Sequence, residues 1–296
     1  LKQLDPVVGT TVHPGVAVYL DWENRWAIDD LQGLGRDRRN YPETVIAHYL
    51  PFWKQGIPVD VISEEAEIDG YKLVVAPMLY MLKPGVAARP RAFLQKGGTL
   101  VTTYWSGIVN ETDLCFLGGW PGDGLRELLG IWDEETDTIT LDERNQVVPA
   151  AGNELGLSGA YEARDYFALI HAESARVLAT FGSDFYAGRP AVTVNNVGRG
   201  QAYYVASRND ERFMDDFFGS LARKLSLLRA LPVTLPEGVT AQLRTDGARR
   251  FVFVMNFNPA PVTLGLDGVS CRRLLDGSPI GASLDLPAYG VEILEA

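Results

Sequence analysis

Very few residues in this 296-residue chain have the types and spacing that reactive chemistry needs. Hydrolysis by paired carboxylates requires two acids held roughly 5 to 9.5 Å apart across a bond. The acidic pairs Glu64-Glu65 and Glu134-Glu135 lie in polar runs and are expected to be solvent-exposed, and nothing in their spacing singles out an opposed pair. His13, His48 and His171 are scattered, with no His-Glu-x-x-His pattern, and Cys115 and Cys271 stand far apart. Two such cysteines form neither a zinc cluster nor a disulfide framework; they read as buried, inert thiols and suit a reducing cytoplasm. Ser106 precedes Gly107 after a strand, but a Gly-x-Ser-x-Gly elbow is absent and His171 offers no positioned base. Gly198-Arg199-Gly200 lacks a third glycine and comes before a strand, so it reads as a turn and not as a phosphate cradle. The sequence therefore implies no metal, no cofactor and no catalytic residue of its own. One segment does stand out: Asp21-Trp22-Glu23-Asn24-Arg25-Trp26, two tryptophans four apart among charges, suited to a protein interface, to covering the domain's own core edge, or to stacking against a sugar ring.

The elements that position these residues follow from patterning. Val16 to Leu20, Val59 to Ile62, Tyr71 to Ala76 and Thr99 to Thr103 are short apolar runs of buried-strand type. Between them lie helical segments, one from about Glu43 to Lys54 with Pro51 inside it, where a kink or boundary is expected. Strand-helix-strand spacing of this kind favours right-handed parallel crossovers, which makes a doubly wound α/β domain of the flavodoxin type. Ligands in such sheets bind beyond the carboxyl ends of the strands, where the Trp22–Trp26 loop and the Trp105 loop fall. After about Leu114 the regularity weakens: Leu125 to Leu129 forms a short helix closed by Gly130, and Asp133 to Glu143 reads as a solvated hairpin or insertion. Further strands are expected at 176–179, 190–194 and 201–206, then a helix from about Glu211 to Leu228. From Pro232 onward only short strands separated by turns appear, a small antiparallel β-sandwich that is marginal on its own and is expected to lean on a neighbouring domain. With 27 basic against 38 acidic residues, the charge of −11 excludes a nucleic-acid footprint. No apolar run reaches the roughly 20 residues of a membrane span.

The run Asp21 to Ala27 resembles the DWENWWA segment that opens the trimerisation domain of family-42 β-galactosidases, with Arg25 departing from the usual aromatic. The resemblance continues through Gly56 to Val61, Gly70 to Pro77, Gly97 to Val101, Leu117 to Gly122, Phe185 to Ala191, Gly198 to Val205, Phe251 to Asn256 and Leu286 to Val291. It implies a class I glutamine-amidotransferase-like doubly wound domain at 14–230, a C-terminal β-sandwich at 231–296 and, at 1–13, a linker from a catalytic barrel that the chain does not include. In amidotransferase-like domains the turn after the Thr99–Thr103 strand carries a nucleophilic cysteine; here Tyr104 and Trp105 stand there. The implied role is the non-catalytic assembly region of a cytoplasmic β-galactosidase, a homotrimer through residues 14–230 whose galactoside is bound mainly by the barrel. Trp22, Glu23, Asn24, Arg25, Trp26 and Trp105 are the residues expected at a subunit interface or at the rim of an active site. The alternatives are a free-standing carbohydrate-binding or interaction protein and a divergent amidotransferase-like enzyme.

Overall fold

The computed structural model describes residues 2–33 and 35–295. These fall into two compact units, a larger one of residues 16–48 and 61–225 and a smaller one built from 2–15, 49–60 and 226–295.

The larger unit is organised on an 11-stranded mixed sheet. Val16–Tyr19, Leu73–Ala76, Thr99–Thr103 and Gly200–Val205 run parallel and adjacent in that order. Every residue of the first three is buried, which is why they are continuous apolar or threonine runs and not alternating ones. The threonines are tolerated because their hydroxyls are spent locally: Thr102 Oγ1 donates to Ala76 O at 2.8 Å, and Thr103 Oγ1 accepts from Met78 N at 2.8 Å. Beyond Gly200–Val205 the sheet turns antiparallel through Pro190–Val197, Arg176–Phe181, Asn145–Pro149 and Tyr161–Ala172. The segment expected as a solvated hairpin is part of this sheet. Ile131–Thr138 pairs with Tyr161–Ala172 over its length, and Asp133 is buried on the inner face. Acidic composition concealed the strand because Glu134 and Glu135 sit on its exposed side.

Helices α1 (Trp22–Asp30), α2 (Tyr41–Trp53), α3 (Ala88–Gln95), α4 (Leu125–Leu129) and α5 (Glu211–Lys224) complete the chain. The Trp22–Trp26 segment is thus the first turn of a helix and not a loop: Asp21 caps it by accepting from Glu23 N and Asn24 N, each at 3.0 Å. Helix α2 passes through Pro51 without ending there. Proline removes the hydrogen bond to the carbonyl of Ala47, a residue on an exposed turn of the helix. Helix α5 starts at the Asp210 cap and buries Phe213, Phe217, Phe218 and Leu221; it stops at Lys224, four residues short of the expected end. Gly200 is required where it stands. A Cβ there would lie 2.3 Å from Gly98 O and 2.4 Å from Leu94 O, so only glycine lets this strand enter beside Thr99.

In the smaller unit, Val239–Thr245, Arg250–Asn256, Val291–Glu295 and Arg272–Arg273 form one antiparallel sheet. Val262–Gly265 pairs separately with Ser283–Leu286. Alternate residues such as Ala241, Val252, Val254, Leu264, Leu284 and Leu294 turn inward to a common apolar core. The last turn of α2 belongs here too: Thr240 Oγ1 donates to Trp53 O at 2.8 Å, and the Trp53 ring packs on Phe257 at 5.6 Å.

Candidate functional site

Two clusters lie at the carboxyl ends of the parallel strands. The first is built around α1. Trp22 and Trp26 are four residues apart on one helix face, and both stay largely in solvent, at 59% and 61% exposure. Arg25 lies 5.2 Å over the Trp22 ring and pairs with Asp29 at 3.4 Å. Asn24 points the other way, buried. Its amide donates to Met78 O at 3.0 Å and its oxygen accepts from Met81 N at 2.9 Å, tying α1 to the turn after Leu73–Ala76.

Beneath α1, the Lys83 ammonium gathers four carboxylates: Glu23 at 2.5 Å, Asp21 at 3.3 Å, Glu64 at 3.5 Å and Glu65 at 4.0 Å. The Glu64 carboxyl, expected to be exposed, is buried at 1% exposure, and neither oxygen has a well-formed hydrogen bond. Burial first, and the Asp21 charge second, push it up to about 7, while Lys83 opposes them. Although the partial burial of Lys83 itself favours the neutral amine, hydrogen bonding to Glu23 and the charges of Asp21 and Glu64 together hold the ammonium well above the usual lysine range.

The second cluster is the turn after Thr99–Thr103. Trp105 takes φ +59°, a left-handed conformation that bulky residues rarely adopt. The side chain held at this position is an indole. Trp105 is buried, 4.5 Å from the Tyr166 ring and 6.2 Å from Tyr80. Ser106 is buried as well, its hydroxyl donating to Thr103 O at 2.7 Å and lying 2.6 Å from Thr102 Oγ1. His171 is elsewhere, 2.7 Å from Glu134 and stacked on Trp132, so no Ser-His pair forms. The sulfhydryl nearest in sequence, Cys115, is exposed and not the buried thiol expected, and Cys271 is half-buried. The turn is braced by Arg208, whose five N–H groups all have partners. It donates to Tyr104 OH at 2.9 Å, to Arg38 O at 2.6 Å, to Asp165 Oδ2 at 3.0 Å, to Arg39 O at 2.6 Å and to Thr44 Oγ1 at 3.2 Å. Asp165 in turn accepts from Arg38 at 3.2 Å.

The residues singled out from sequence thus divide. Trp22, Glu23, Arg25 and Trp26 share the accessible face or edge of α1, whereas Asn24 and Trp105 are interior and act on their surroundings through packing and hydrogen bonds. Lys83, Asp165 and Arg208 were not found from sequence, and Glu64 was expected to be exposed but is buried. Only the placement of a lone lysine between apolar Met81-Leu82 and Pro84 could have hinted at Lys83.

The family profile for the β-galactosidase trimerisation domain matches residues 14–228, and that for the β-galactosidase C-terminal domain matches residues 238–296. The β-galactosidase Pbg of Clostridium perfringens is 50% identical over 294 residues, and BglY of Alicyclobacillus acidocaldarius is 48% identical over 295. Among solved structures, the β-galactosidase of Rahnella sp. R3 superposes with a TM-score of 0.94 at 52% identity. Gan42B, a GH42 β-galactosidase of G. stearothermophilus, superposes at 0.93 and 40%. The alignments cover 99–100% of this chain but only 42–43% of each of those proteins. The chain belongs to the GH42 β-galactosidase family, whose trimerisation and C-terminal domains it carries.

Proposed function

We propose that this chain is the non-catalytic assembly region of a β-galactosidase that hydrolyses terminal β-D-galactosides in the cytoplasm, and that it holds the enzyme as a homotrimer through residues 14–230. In this reading residues 1–13 are a linker from a catalytic barrel that binds the galactoside, and 231–296 form an accessory β domain. The parallel strands and their helices are the remnant of a flavodoxin-like, class I glutamine-amidotransferase-like doubly wound domain. The observation that carries the reading is the sealed elbow: the strained position after Thr99–Thr103 holds the buried indole of Trp105, and the adjacent Ser106 hydroxyl is spent on Thr102 and Thr103. A turn so occupied has no nucleophile to offer, which leaves docking as the use of the surface around it. Trp22 and Trp26 supply that surface, flanked by Glu23 and Arg25; Asn24 and Trp105 hold it in place from within. Large amphipathic rings are the side chains enriched where proteins meet, and a cyclic trimer closes by repeating one heterologous contact. Sedimentation velocity over a concentration series tests this. A species of three times the 32.5 kDa protomer is expected at high concentration; a monomer throughout would refute it.

A further inference from the structure

A polar pocket of about 270 Å³ lies between α1 and the start of α2 in the larger unit. Arg25 and Asp29 line it from α1; Arg39, Asn40 and the first turn of α2 line the other side. Arg39 is the unusual member. It is 4% exposed, yet among the described residues no carboxylate pairs with its guanidinium. Its Nη1 donates to Ile28 O, but Nη2 is buried without any partner. A guanidinium taken out of water is strongly disfavoured unless an opposite charge or a full set of hydrogen bonds replaces the lost hydration. The backbone is pinned at this point, since Arg39 O accepts from Arg208 Nη2 at 2.6 Å.

Two further sources of positive potential line the same space. Arg25 pairs with Asp29 through Nε at 3.4 Å, and among the described residues neither of its Nη groups has a hydrogen bond. The first turn of α2 adds the N–H groups of Tyr41 and Glu43, which a helix start leaves without intrahelical acceptors, and Pro42 between them has none to satisfy. No side-chain oxygen of the described residues caps them, so this 13-residue helix turns the positive end of its dipole to the pocket. The acids of the wall, Asp29 and Glu43, are both exposed, and Asp29 is already engaged by Arg25. Their charges disfavour a second negative charge on a ligand, and the two oxygens of a carboxylate match the planar guanidinium fork. We propose that this pocket binds a small monovalent oxyanion, a carboxylate, held between the guanidinium groups of Arg39 and Arg25 at the N-terminus of α2. The inference goes beyond the assembly reading and does not rest on it, since every group it uses belongs to one protomer.

The test is thermal unfolding and saturation-transfer NMR of the full chain at neutral pH in sodium acetate, chloride and sulfate at matched ionic strength. Acetate is expected to raise the unfolding midpoint above that in chloride and to bind saturably, and sulfate to bind more weakly than acetate. Arg39→Met should weaken acetate binding about tenfold and remove the acetate-specific shift. Arg25→Gln, at a partly exposed position of α1 that leaves the core untouched, should weaken binding to a lesser degree. Glu43→Gln, which removes a like charge from the wall, should tighten it. Absence of saturable acetate binding in the parent chain, sulfate bound more tightly than acetate, or acetate binding unchanged in both Arg39→Met and Arg25→Gln would each overturn the proposal.

Discussion

Replacing Asp133 by asparagine should stabilise the larger unit at neutral and alkaline pH but have a much smaller effect in mild acid. Asp133 is 1% exposed within the sheet, and neither carboxylate oxygen has a well-formed hydrogen bond. Burial raises the carboxyl from 3.8 to about 7, against a smaller opposing influence of the Tyr204 hydroxyl, itself buried. A carboxyl raised on folding stabilises the fold fully only below its unfolded value, near 3.8, and that advantage is lost progressively as pH rises toward 7, because the unfolded chain ionises first. The full difference of about 3 pK units corresponds to about 4 kcal/mol. Roughly a third of it is already gone at pH 5, so moving from pH 5 to pH 8 should weaken the parent chain by about 2–3 kcal/mol relative to a neutral isostere. The asparagine amide brings unpartnered N–H groups of its own, costing about 1–3 kcal/mol, but that cost is the same at both pH values. Urea denaturation of parent and Asp133→Asn at pH 5 and pH 8 gives the two differences. The contribution of Glu64, which also lies near 7, is common to both proteins and cancels. A stability difference that stays constant between pH 5 and pH 8 would refute the assignment of Asp133 as a buried neutral acid.

Two further expectations follow from the α1 cluster. Lys83→Met removes the cation shared by Asp21, Glu23, Glu64 and Glu65 and should cost about 3 kcal/mol at pH 8, less at pH 5 where Glu64 takes up a proton; Glu64→Gln in that background should restore part of the loss, read by thermal and urea unfolding. The double substitution Trp22→Ala, Trp26→Ala should leave protomer stability within about 1 kcal/mol, since both rings are more than half exposed, yet shift the sedimentation profile toward monomer; an unchanged trimer would remove these rings from the interface.

The strands Val16–Tyr19, Leu73–Ala76 and Thr99–Thr103 were legible because a parallel strand covered on both faces must be apolar throughout. Leu125–Leu129 with Gly130 was legible for an equally local reason, the φ of +63° that glycine adopts at a helix end. Ile131–Thr138 was not, since an acidic face turned to water looks the same in sequence whether or not the opposite face is covered. Nor was Pro51 decisive, because losing one hydrogen bond on a wet helix turn costs little when the rest of the helix is packed.

By itself, then, the sequence determined the run of buried strands, the change of grammar near residue 232 and the family likeness, all of which depend on near neighbours along the chain. Tertiary structure alone decided that Glu64 and Asp133 are interior, that Lys83 serves carboxylates from positions 21, 23, 64 and 65, and that Arg208 braces the Trp105 turn. The desolvation of a charged group is set by residues distant in sequence that pack over it, and no local pattern encodes which of them will arrive.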